Sequence, residues 1–457
     1  MRIAVCIRIG SDGDPGPFDA CAYEAALRIP DAEVLLLSMG APSAREQLLQ
    51  LTRLGASRAI LLSDKSFAGA DTLATAKTLA KALERLSPDL VICGRQTLIG
   101  DTAQTGPMLA QLMGYGLITN VMQIETTTER EISCLTRNEG SRSSAFPALI
   151  TVERINTLRL PRLRSRMGEC EIWDAAQLEI APGECGLAGS PTRVVKTFEN
   201  QSGKRHCKKI LRNELADAVA IGLARDRERS APEAPSGERL DHICTVGEAP
   251  MEFAKAVSDH ITTLPITEAT ELAKRIRELS PTAVLWGSDA RSKRLAATVA
   301  AMLDLGLCAD CTRLEVEGGE LMMYRPALSG STIAKIRSIT KPAMATVRTA
   351  AEGHKSVVIG IGYGVRDRID EIQALARELN AEIVVSRKIV DNGYLPYELQ
   401  LGLTGKSLHP PVYIAIGISG AVHHIVGMQN AGTVIAINPD PDAPIFDYAD
   451  FGIVDHF

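Results

Sequence analysis

Short apolar runs alternate with segments of helical period along most of this chain. The apolar runs of the first hundred residues lie at 3–7, 34–40, 58–64 and 90–94. Between them, residues 45–55 and 70–86 place apolar side chains at helical spacing. Buried parallel strands read as continuous apolar runs and need a crossover helix between them. The alternation therefore predicts an α/β fold built on doubly wound parallel sheets.

A second copy of this pattern follows in the chain. LSPDLVICG at 86–94 is similar to LSPTAVLWG at 279–287, and each is flanked by helical segments. Two further pairs keep near-equal offsets, namely 117–125 with 307–315 and 146–153 with 341–348. The repetition predicts two pseudo-equivalent domains that pack as a pseudo-dimer. The alternative is two generic α/β units that only look alike.

Composition shifts suggest where these units end. A segment of helical period after residue 205 runs into SAPEAPSGE, whose Pro, Ser and Glu content is typical of a linker. TAAEGHKS at 349–356 precedes a third unit, which opens with the apolar run VVIGIG. We therefore divide the chain into 1–204, 205–239, 240–350 and 351–457.

Charge and composition exclude several classes of function. The net charge is −5 and aromatic residues make up 4%, so neither favours nucleic acid as a partner. The apolar runs are shorter than the roughly 18 residues that a membrane span needs, and the N-terminus begins directly with a strand-like run. The ten cysteines lack framework spacing, and the single CxxC motif at 308–311 has no second pair. We expect a cytoplasmic chain with reduced cysteines, no metal site and no membrane insertion.

Two glycine-rich turns in the third unit are candidate ligand-binding sites. One is GIGYG at 360–364, and the other is GISG at 417–420, which follows a buried strand and precedes helical-period residues. Small residues at a strand-to-helix turn let backbone N–H groups approach a phosphate. The alternative for Ser419 is an ordinary helix N-cap.

The sequence around the second turn resembles the FAD-binding domain of the electron-transfer flavoprotein alpha subunit. The resemblance covers 403–454 and rests on GISGA, the histidine five residues after the serine, Gly-Met and Ala-Ile-Asn. Upstream, 385–406 fits the family's Ser-Arg, Val-Asp and Gln-Thr-Gly-Lys stretch, with Leu403 where Gln is usual. The resemblance implies a flavin site in the third unit.

Earlier segments resemble the rest of the same protein. FDACAYEAALRI, ICGRQTLIGDTAQTGP and LPRLRSRMGECEIWDAAQLEI are similar to the beta subunit, and 240–348 is similar to the first domain of the alpha subunit. The chain thus resembles a natural fusion of a beta-like part followed by an alpha-like part. A monomeric, single-chain pseudo-heterodimer is the implied assembly.

The resemblance assigns residues to the FAD. It places Thr404 near flavin N5, His424 near the pyrimidine edge and Ser419 near the pyrophosphate or ribityl chain. Tyr363 stands where the family commonly has arginine, which implies a shifted semiquinone stability or a lower flavin potential than in a relative with arginine. The full implied set is Gly362, Tyr363, Gly364, Ser386, Arg387, Gln400, Thr404, Gly405, Gly417, Ser419, Gly420, His424, Asn438 and Asp450.

A second nucleotide is implied in the beta-like part, around GDTAQTG at 100–106. Simple electron shuttles of the family hold AMP there, and electron-bifurcating members hold a second FAD. The loop at 7–13 departs from the family's pattern, so the identity of this nucleotide stays open. The implied residues are Cys6, Gly100, Asp101, Thr102, Gln104 and Thr105.

The resemblance also implies a function and its partners. The FAD would take electrons from a flavoprotein dehydrogenase of the acyl-CoA dehydrogenase type, as in fatty acid β-oxidation, and pass them to a quinone reductase or another acceptor. Docking would use the basic cluster of Arg159, Arg162, Arg164 and Arg166, for which the alternative is a solvated basic face. Two other functions stay open: a two-FAD bifurcating flavoprotein that oxidises NADH, and a nucleotide-binding scaffold without a redox role.

Overall fold

The computed structural model describes residues 1–10, 13–97, 100, 102–154, 156–199, 205–229, 237–327, 332–348, 355–396, 399–402, 408, 410–429 and 431–457. The chain forms two compact units. The first contains Met1–Lys196, Gly237–Arg325 and Ala334–Arg348, and the second contains Thr197–Ser236, Pro326–Ile333 and Thr349–Phe457. Within the described ranges, no helix is long and apolar enough to cross a membrane.

The strands are β1 Arg2–Cys6, β2 Glu33–Met39, β3 Arg58–Leu62, β4 Leu90–Gly94, β5 Gly116–Thr127, β6 Glu131–Thr136, β7 Gly140–Ala145, β8 Ala148–Val152, β9 Glu169–Trp173, β10 Thr192–Glu199, β11 Lys208–Lys209, β12 Ile243–Val246, β13 Ile261–Leu264, β14 Ala283–Trp286, β15 Leu307–Cys311, β16 Arg313–Glu317, β17 Glu320–Ala327, β18 Thr332–Ser338, β19 Ala343–Val347, β20 Val357–Ile361, β21 Glu382–Val385, β22 Val412–Ile416, β23 Thr433–Ile437 and β24 Phe451–Ile453. The α-helices are α1 Pro17–Leu27, α2 Ala44–Thr52, α3 Thr72–Leu86, α4 Thr105–Met113, α5 Leu215–Arg229, α6 Met251–Val257, α7 Ala269–Leu279, α8 Ala290–Leu303, α9 Ile369–Glu378, α10 Arg387–Asp391 and α11 Val422–Met428.

The first unit contains the predicted duplication. Its nine-stranded sheet has the order β7-β6-β5-β8-β4-β1-β2-β3-β9, and its five-stranded sheet has the order β13-β12-β14-β19-β15. The stretch β2-β1-β4-β8-β5 is thus repeated strand for strand, with parallel pairing in both copies. A four-stranded sheet, β10-β18-β17-β16, accompanies them. The predicted fold class is confirmed.

The two copies agree in backbone detail. Asn120 and Asp310, at the same offset in β5 and β15, both adopt positive φ angles of 58° and 53°. The backbone N–H of each donates to a threonine hydroxyl on the adjacent strand, Thr151 at 3.1 Å and Thr346 at 2.8 Å. Since residues other than glycine rarely adopt this conformation, its recurrence at matching positions supports duplication over chance likeness.

One hydrophobic core joins the two copies. Leu83 of α3 and Met108 of α4 belong to the same buried cluster as Ile276 of α7 and Leu295 of α8. The two halves therefore pack through their helices, and neither buries this face alone.

The second unit is built on one parallel sheet of order β11-β24-β23-β22-β20-β21. Strand β11 and helix α5 come from the segment 205–239, which the sequence suggested as a helix and linker. Ala218 and Val219 of α5 are buried in the core of this unit. The two compact units are defined by how the chain packs. Our division of the chain into four segments stays a proposal.

A buried ion pair fastens the start of this segment to the sheet. The guanidinium of Arg205 donates to the carboxylate of Asp450 and to the backbone carbonyls of Gln429, Ala431 and Gly432. The same carboxylate accepts the backbone N–H of Val434 at 2.8 Å. With the two side chains only 16% and 24% exposed, solvent screens this pair weakly.

We predict that Asp450→Asn lowers the free energy of unfolding by about 2 kcal/mol, because it removes the charge from a mostly buried, multiply bonded pair. Urea unfolding of the purified chain measures the change. The matched control is Glu371→Gln, which breaks the exposed pair with Arg368 and should lower the free energy of unfolding much less, because solvent screens that pair. Equal effects of the two substitutions would contradict the assignment.

Candidate functional site

Four strands of the second unit end in register at one edge of the sheet. Ile361, Val385, Ile416 and Ile437 are cross-strand partners and close β20, β21, β22 and β23. The next residue after each strand is Gly362, Ser386, Gly417 or Asn438. Four predicted site residues thus meet at the carboxyl edge, although they span 77 positions of the chain.

This edge also holds the point where the strand order reverses. From β20 the chain proceeds to β21 on one side, whereas β22, β23 and β24 follow on the other side. Ligands of open parallel α/β sheets bind in the crevice outside the carboxyl ends at such a switch point. The crevice between β20 and β22 is therefore the candidate site.

The two glycine-rich turns pack directly on each other. The N–H of Gly362 donates to the carbonyl of Ile416 at 2.8 Å, and a Cβ on Gly362 would lie 1.9 Å from the carbonyl oxygen of Gly417. Gly364 donates to the same oxygen at 3.4 Å. Gly417 itself has φ of +64°. A side chain at 362 would push the turns apart.

Ser419 is exposed within the second turn. Helix α11 begins at Val422 with Ala421 as its N-cap, and no side chain caps its first turn. Ser419 is therefore not an N-cap, which removes the alternative that we considered from the sequence. Gly420 behind it has φ of +95°, and a Cβ there would lie 2.3 Å from the backbone nitrogen of Ile445.

His424 is buried on α11, 6% exposed. Its Nε2 lies 2.8 Å from the hydroxyl of Tyr413, a residue of β22 that is fully buried. Burial lowers the pKa of His424 to about 4 and raises the pKa of Tyr413. Near neutral pH both side chains are uncharged.

Two buried polar atoms at this edge have no hydrogen-bond partner among the described residues, namely Nδ1 of His424 and Oγ of Ser386. An unsatisfied buried donor or acceptor costs about 1–3 kcal/mol. Such atoms are expected where a ligand supplies the missing partner. A flavin dinucleotide, which offers ring carbonyls and phosphate oxygens, fits this set.

Tyr363 lies half-buried in the first turn. The Nζ of Lys388 lies 4.4 Å and the Cζ of Arg366 lies 4.7 Å from its ring centroid, which places cations against the aromatic face. Arg387, beside Lys388 on α10, is paired with Asp391 at 3.2 Å.

The other predicted FAD residues do not all lie at this edge. Gln400 is buried in a parallel bridge with Val385, the last residue of β21. The side chain of Asn438 donates to the carbonyl of Ile418 at 2.9 Å and so ties the end of β23 to the second turn. Asp450 precedes β24, so it lies at the opposite, amino edge and serves the pair with Arg205. Thr404 and Gly405 fall outside the described residues.

The first unit has a comparable crevice in its beta-like half. Strand order again reverses between β1 and β4, and Cys6 at the end of β1 is the cross-strand partner of Cys93. Helix α4 begins there at Thr105, with Gln104 as N-cap. The side chain of Gln104 is 1% exposed; its Oε1 accepts from Thr72 at 2.9 Å, and its Nε2 has no partner among the described residues. A nucleotide phosphate fits this donor.

The remaining residues of the predicted second site surround α4. The N–H of Gly100 donates to Oγ1 of Thr97 at 3.1 Å, and Oγ1 of Thr102 accepts from the N–H of Gln104 at 3.4 Å. Asp101 lies outside the described residues. No sequence pattern indicated Asp19. Its side chain is 5% exposed and lies beside Gly94. Burial raises the pKa of this carboxyl to about 7.

The predicted docking segment is exposed. Arg162, Arg164 and Arg166 lie on the surface, and Leu163 between them is 102% exposed, with Leu160 at 87%. Sequence reasoning had named only the arginines, and the two exposed leucines add apolar surface to the same segment. Arg159 is different: it forms a bidentate pair with Glu24 at 2.9 and 3.0 Å.

That pair anchors the start of the segment. Burial opposes ionisation of Glu24, but Arg159 and Arg28 outweigh it and hold the pKa of this carboxyl at about 2. Arg159 therefore belongs to the framework and not to the exposed basic cluster.

Two family models match most of the chain. The electron transfer flavoprotein domain model matches residues 3–178 and 255–353, and the electron transfer flavoprotein FAD-binding domain model matches 353–429. The second match includes both glycine turns and His424. The first match covers both copies of the duplicated fold.

Individual relatives divide along the chain in the same way. The electron transfer flavoprotein subunit alpha of Thermoanaerobacterium thermosaccharolyticum is 37% identical, covering 44% of this chain and 71% of the relative. The subunit beta of the same organism is 38% identical, covering 42% and 78%. The caffeyl-CoA reductase-Etf complex subunit CarD of Acetobacterium woodii is 37% identical, covering 43% and 80%. The chain therefore belongs to the electron transfer flavoprotein family, as one polypeptide in which a beta-like part precedes an alpha-like part.

Proposed function

We propose that this chain is a single-chain electron carrier that receives electrons from a flavoprotein dehydrogenase of the acyl-CoA dehydrogenase type and passes them to a quinone reductase or another acceptor. FAD bound at the carboxyl edge of the second unit supplies the redox chemistry. The observation that carries the proposal is the buried Nδ1 of His424, which has no hydrogen-bond partner among the described residues and lies on the helix that follows the Gly417 turn. Fatty acid oxidation in the cytoplasm is the proposed setting.

The hydrogen bond between Tyr413 and His424 is coupled to the tautomer of the imidazole. The phenol hydroxyl is fully buried, has one donor hydrogen and lies 2.8 Å from Nε2 of His424. If Tyr413 donates to Nε2, the neutral imidazole carries its own proton on Nδ1. His424 then offers a neutral N–H donor to a flavin carbonyl, and not the positive charge that is the other option for a histidine.

We further propose that the beta-like half binds a second nucleotide at α4, either AMP or a second FAD. Gln104 and the residues from Gly100 to Thr105 would hold its phosphate. An AMP would be structural, while a second FAD would support the alternative of an electron-bifurcating flavoprotein that oxidises NADH. The name of the CarD relative connects that protein with a caffeyl-CoA reductase complex, which supports an acyl-CoA-oxidoreducing partner for this chain.

Counting bound nucleotides tests the proposal. The purified chain is expected to be yellow and to release one FAD and one AMP on heating, as measured by absorbance and chromatography. Two FAD per chain would instead favour the bifurcating function. A colourless protein that neither retains nor takes up FAD would contradict the electron-carrier function and favour a scaffold.

The buried state of His424 predicts an acid-sensitive second unit. Its pKa is about 4 in the folded protein and about 6.5 when unfolded, so the unfolded state binds more protons between these values. The contribution of His424 is complete above pH 6.5 and is lost as the pH falls toward 4, by up to about 3 kcal/mol. His424→Gln should flatten this part of the pH profile of unfolding, whereas His456→Gln, at an exposed position, should leave it unchanged. An unchanged profile in the His424 variant would contradict the assignment.

The exposed leucine between the arginines predicts the docking surface. Leu163→Ser should lower the rate of flavin reduction by an acyl-CoA dehydrogenase at least tenfold, because a central apolar anchor is lost, with FAD content unchanged. Leu187→Ser is the matched control, since Leu187 is 55% exposed on the same unit outside this segment. Stopped-flow reduction measures the rates. Equal rates for the Leu163 variant and the unmodified chain would place docking elsewhere.

A further inference from the structure

One buried arginine connects the two halves of the first unit at the proposed second nucleotide site. Arg325 lies on β17 in the alpha-like half and is 7% exposed. Its Nη2 donates to the carbonyl oxygen of Gly100 at 2.7 Å, across 225 positions of the chain. Gly100 lies in the connection between β4 and α4 of the beta-like half. A residue of one half thus contacts the phosphate-binding segment of the other.

Further charged residues surround Arg325. It acts on the buried carboxyl of Asp310, which also contacts Lys293 at 2.8 Å and Arg348 at 3.9 Å. Burial opposes ionisation of Asp310, yet these cations keep its pKa below the ordinary value. Arg325 thus belongs to a cluster of cations around Asp310 and reaches the loop from there. Positive charge beside a phosphate-binding loop favours an anionic ligand.

An independent observation at the same loop indicates a ligand. Gln104, the N-cap of the nine-residue helix α4, is 1% exposed, and its Nε2 has no hydrogen-bond partner among the described residues. The other amide atom is fixed by Thr72, so the side chain cannot turn its NH₂ group away without losing that bond. A buried amide donor at a helix N-terminus is satisfied by an anion.

We propose that Arg325 is a positioning residue of the second nucleotide site, which makes this site composite, with its loop in the beta-like half and its anchor in the alpha-like half. The inference rests on the proposed second nucleotide. An arginine that holds the carbonyl of Gly100 fixes the position of the loop relative to Gln104, whose amide donor would contact the phosphate. Arg325 also brings its charge to the loop.

The test compares Arg325→Met, Arg325→Lys and Arg337→Met. Arg337 lies on neighbouring β18 in an exposed pair with Glu320, so its variant controls for loss of an arginine as such. The full chain is dialysed, its retained AMP or second FAD is measured by chromatography, and AMP and FAD are then titrated back by calorimetry. We expect Kd to rise at least tenfold in R325M, which is about 1.4 kcal/mol. R325K should show a smaller rise because it keeps the charge, and R337M should stay within twofold.

The outcomes separate the inference from the function on which it rests. If the unmodified chain retains and binds no nucleotide besides the FAD of the second unit, the second site and the inference both fail. If it binds one and R325M binds it equally well, the inference alone fails. The unfolding temperature of each nucleotide-free variant distinguishes lost affinity from lost fold. If R325M does not fold, R325K provides the test. An unchanged nucleotide affinity of R325K would overturn the proposal. Weaker nucleotide binding by R325K at an unchanged unfolding temperature would support it.

Discussion

The contact between the two glycine turns is the constraint on which the second unit depends. Gly362 leaves no room for a side chain against the carbonyl of Gly417, so β20 and β22 can end side by side at the point where the strand order reverses. Other site features have their own causes. Ser386 and Asn438 reach the edge because their strands end in register, and His424 lies on α11, which starts just after the Gly417 turn.

The first unit contains the same strand order twice, but the two copies differ at the N-termini of helices α4 and α8. Both halves repeat one strand order, but the beta-like copy has a long connection from Gly94 to Thr105 that contains Gln104, whose Nε2 has no hydrogen-bond partner among the described residues. In the other copy, α8 begins at Ala290, soon after β14, and Asp289 caps its first turn. That carboxylate occupies the helix N-terminus where an anion would bind. The two halves are therefore alike in fold and unlike in binding capacity.

The sequence predicted what short-range patterns encode. Apolar runs that end in small residues located the strands and both turns, and the repeated LSP segments predicted the duplication. Partners that are far apart in sequence leave no such signal: Arg205 and Asp450 are 245 positions apart, and Arg325 and Gly100 are 225 apart. Tyr413 lies inside an apolar run, where a tyrosine reads as an ordinary strand residue. Asp450 was placed with the FAD because motif order says nothing about which edge of the sheet a residue occupies.

The electrostatics of the flavin edge follow from where its charges lie. A buried imidazolium would be costly, so His424 is neutral and contributes a hydrogen bond. The nearest cations, Lys388 and Arg366, contact Tyr363, and Lys388 is exposed to solvent. Water screens such a charge, which at ~4 Å is worth about 1 kcal/mol in bulk solvent and several-fold more in a partly buried position. Lys388 and Arg366 would therefore replace only part of the stabilisation that an arginine in the turn would give to a reduced flavin. This supports the lower flavin potential that we expect from Tyr363.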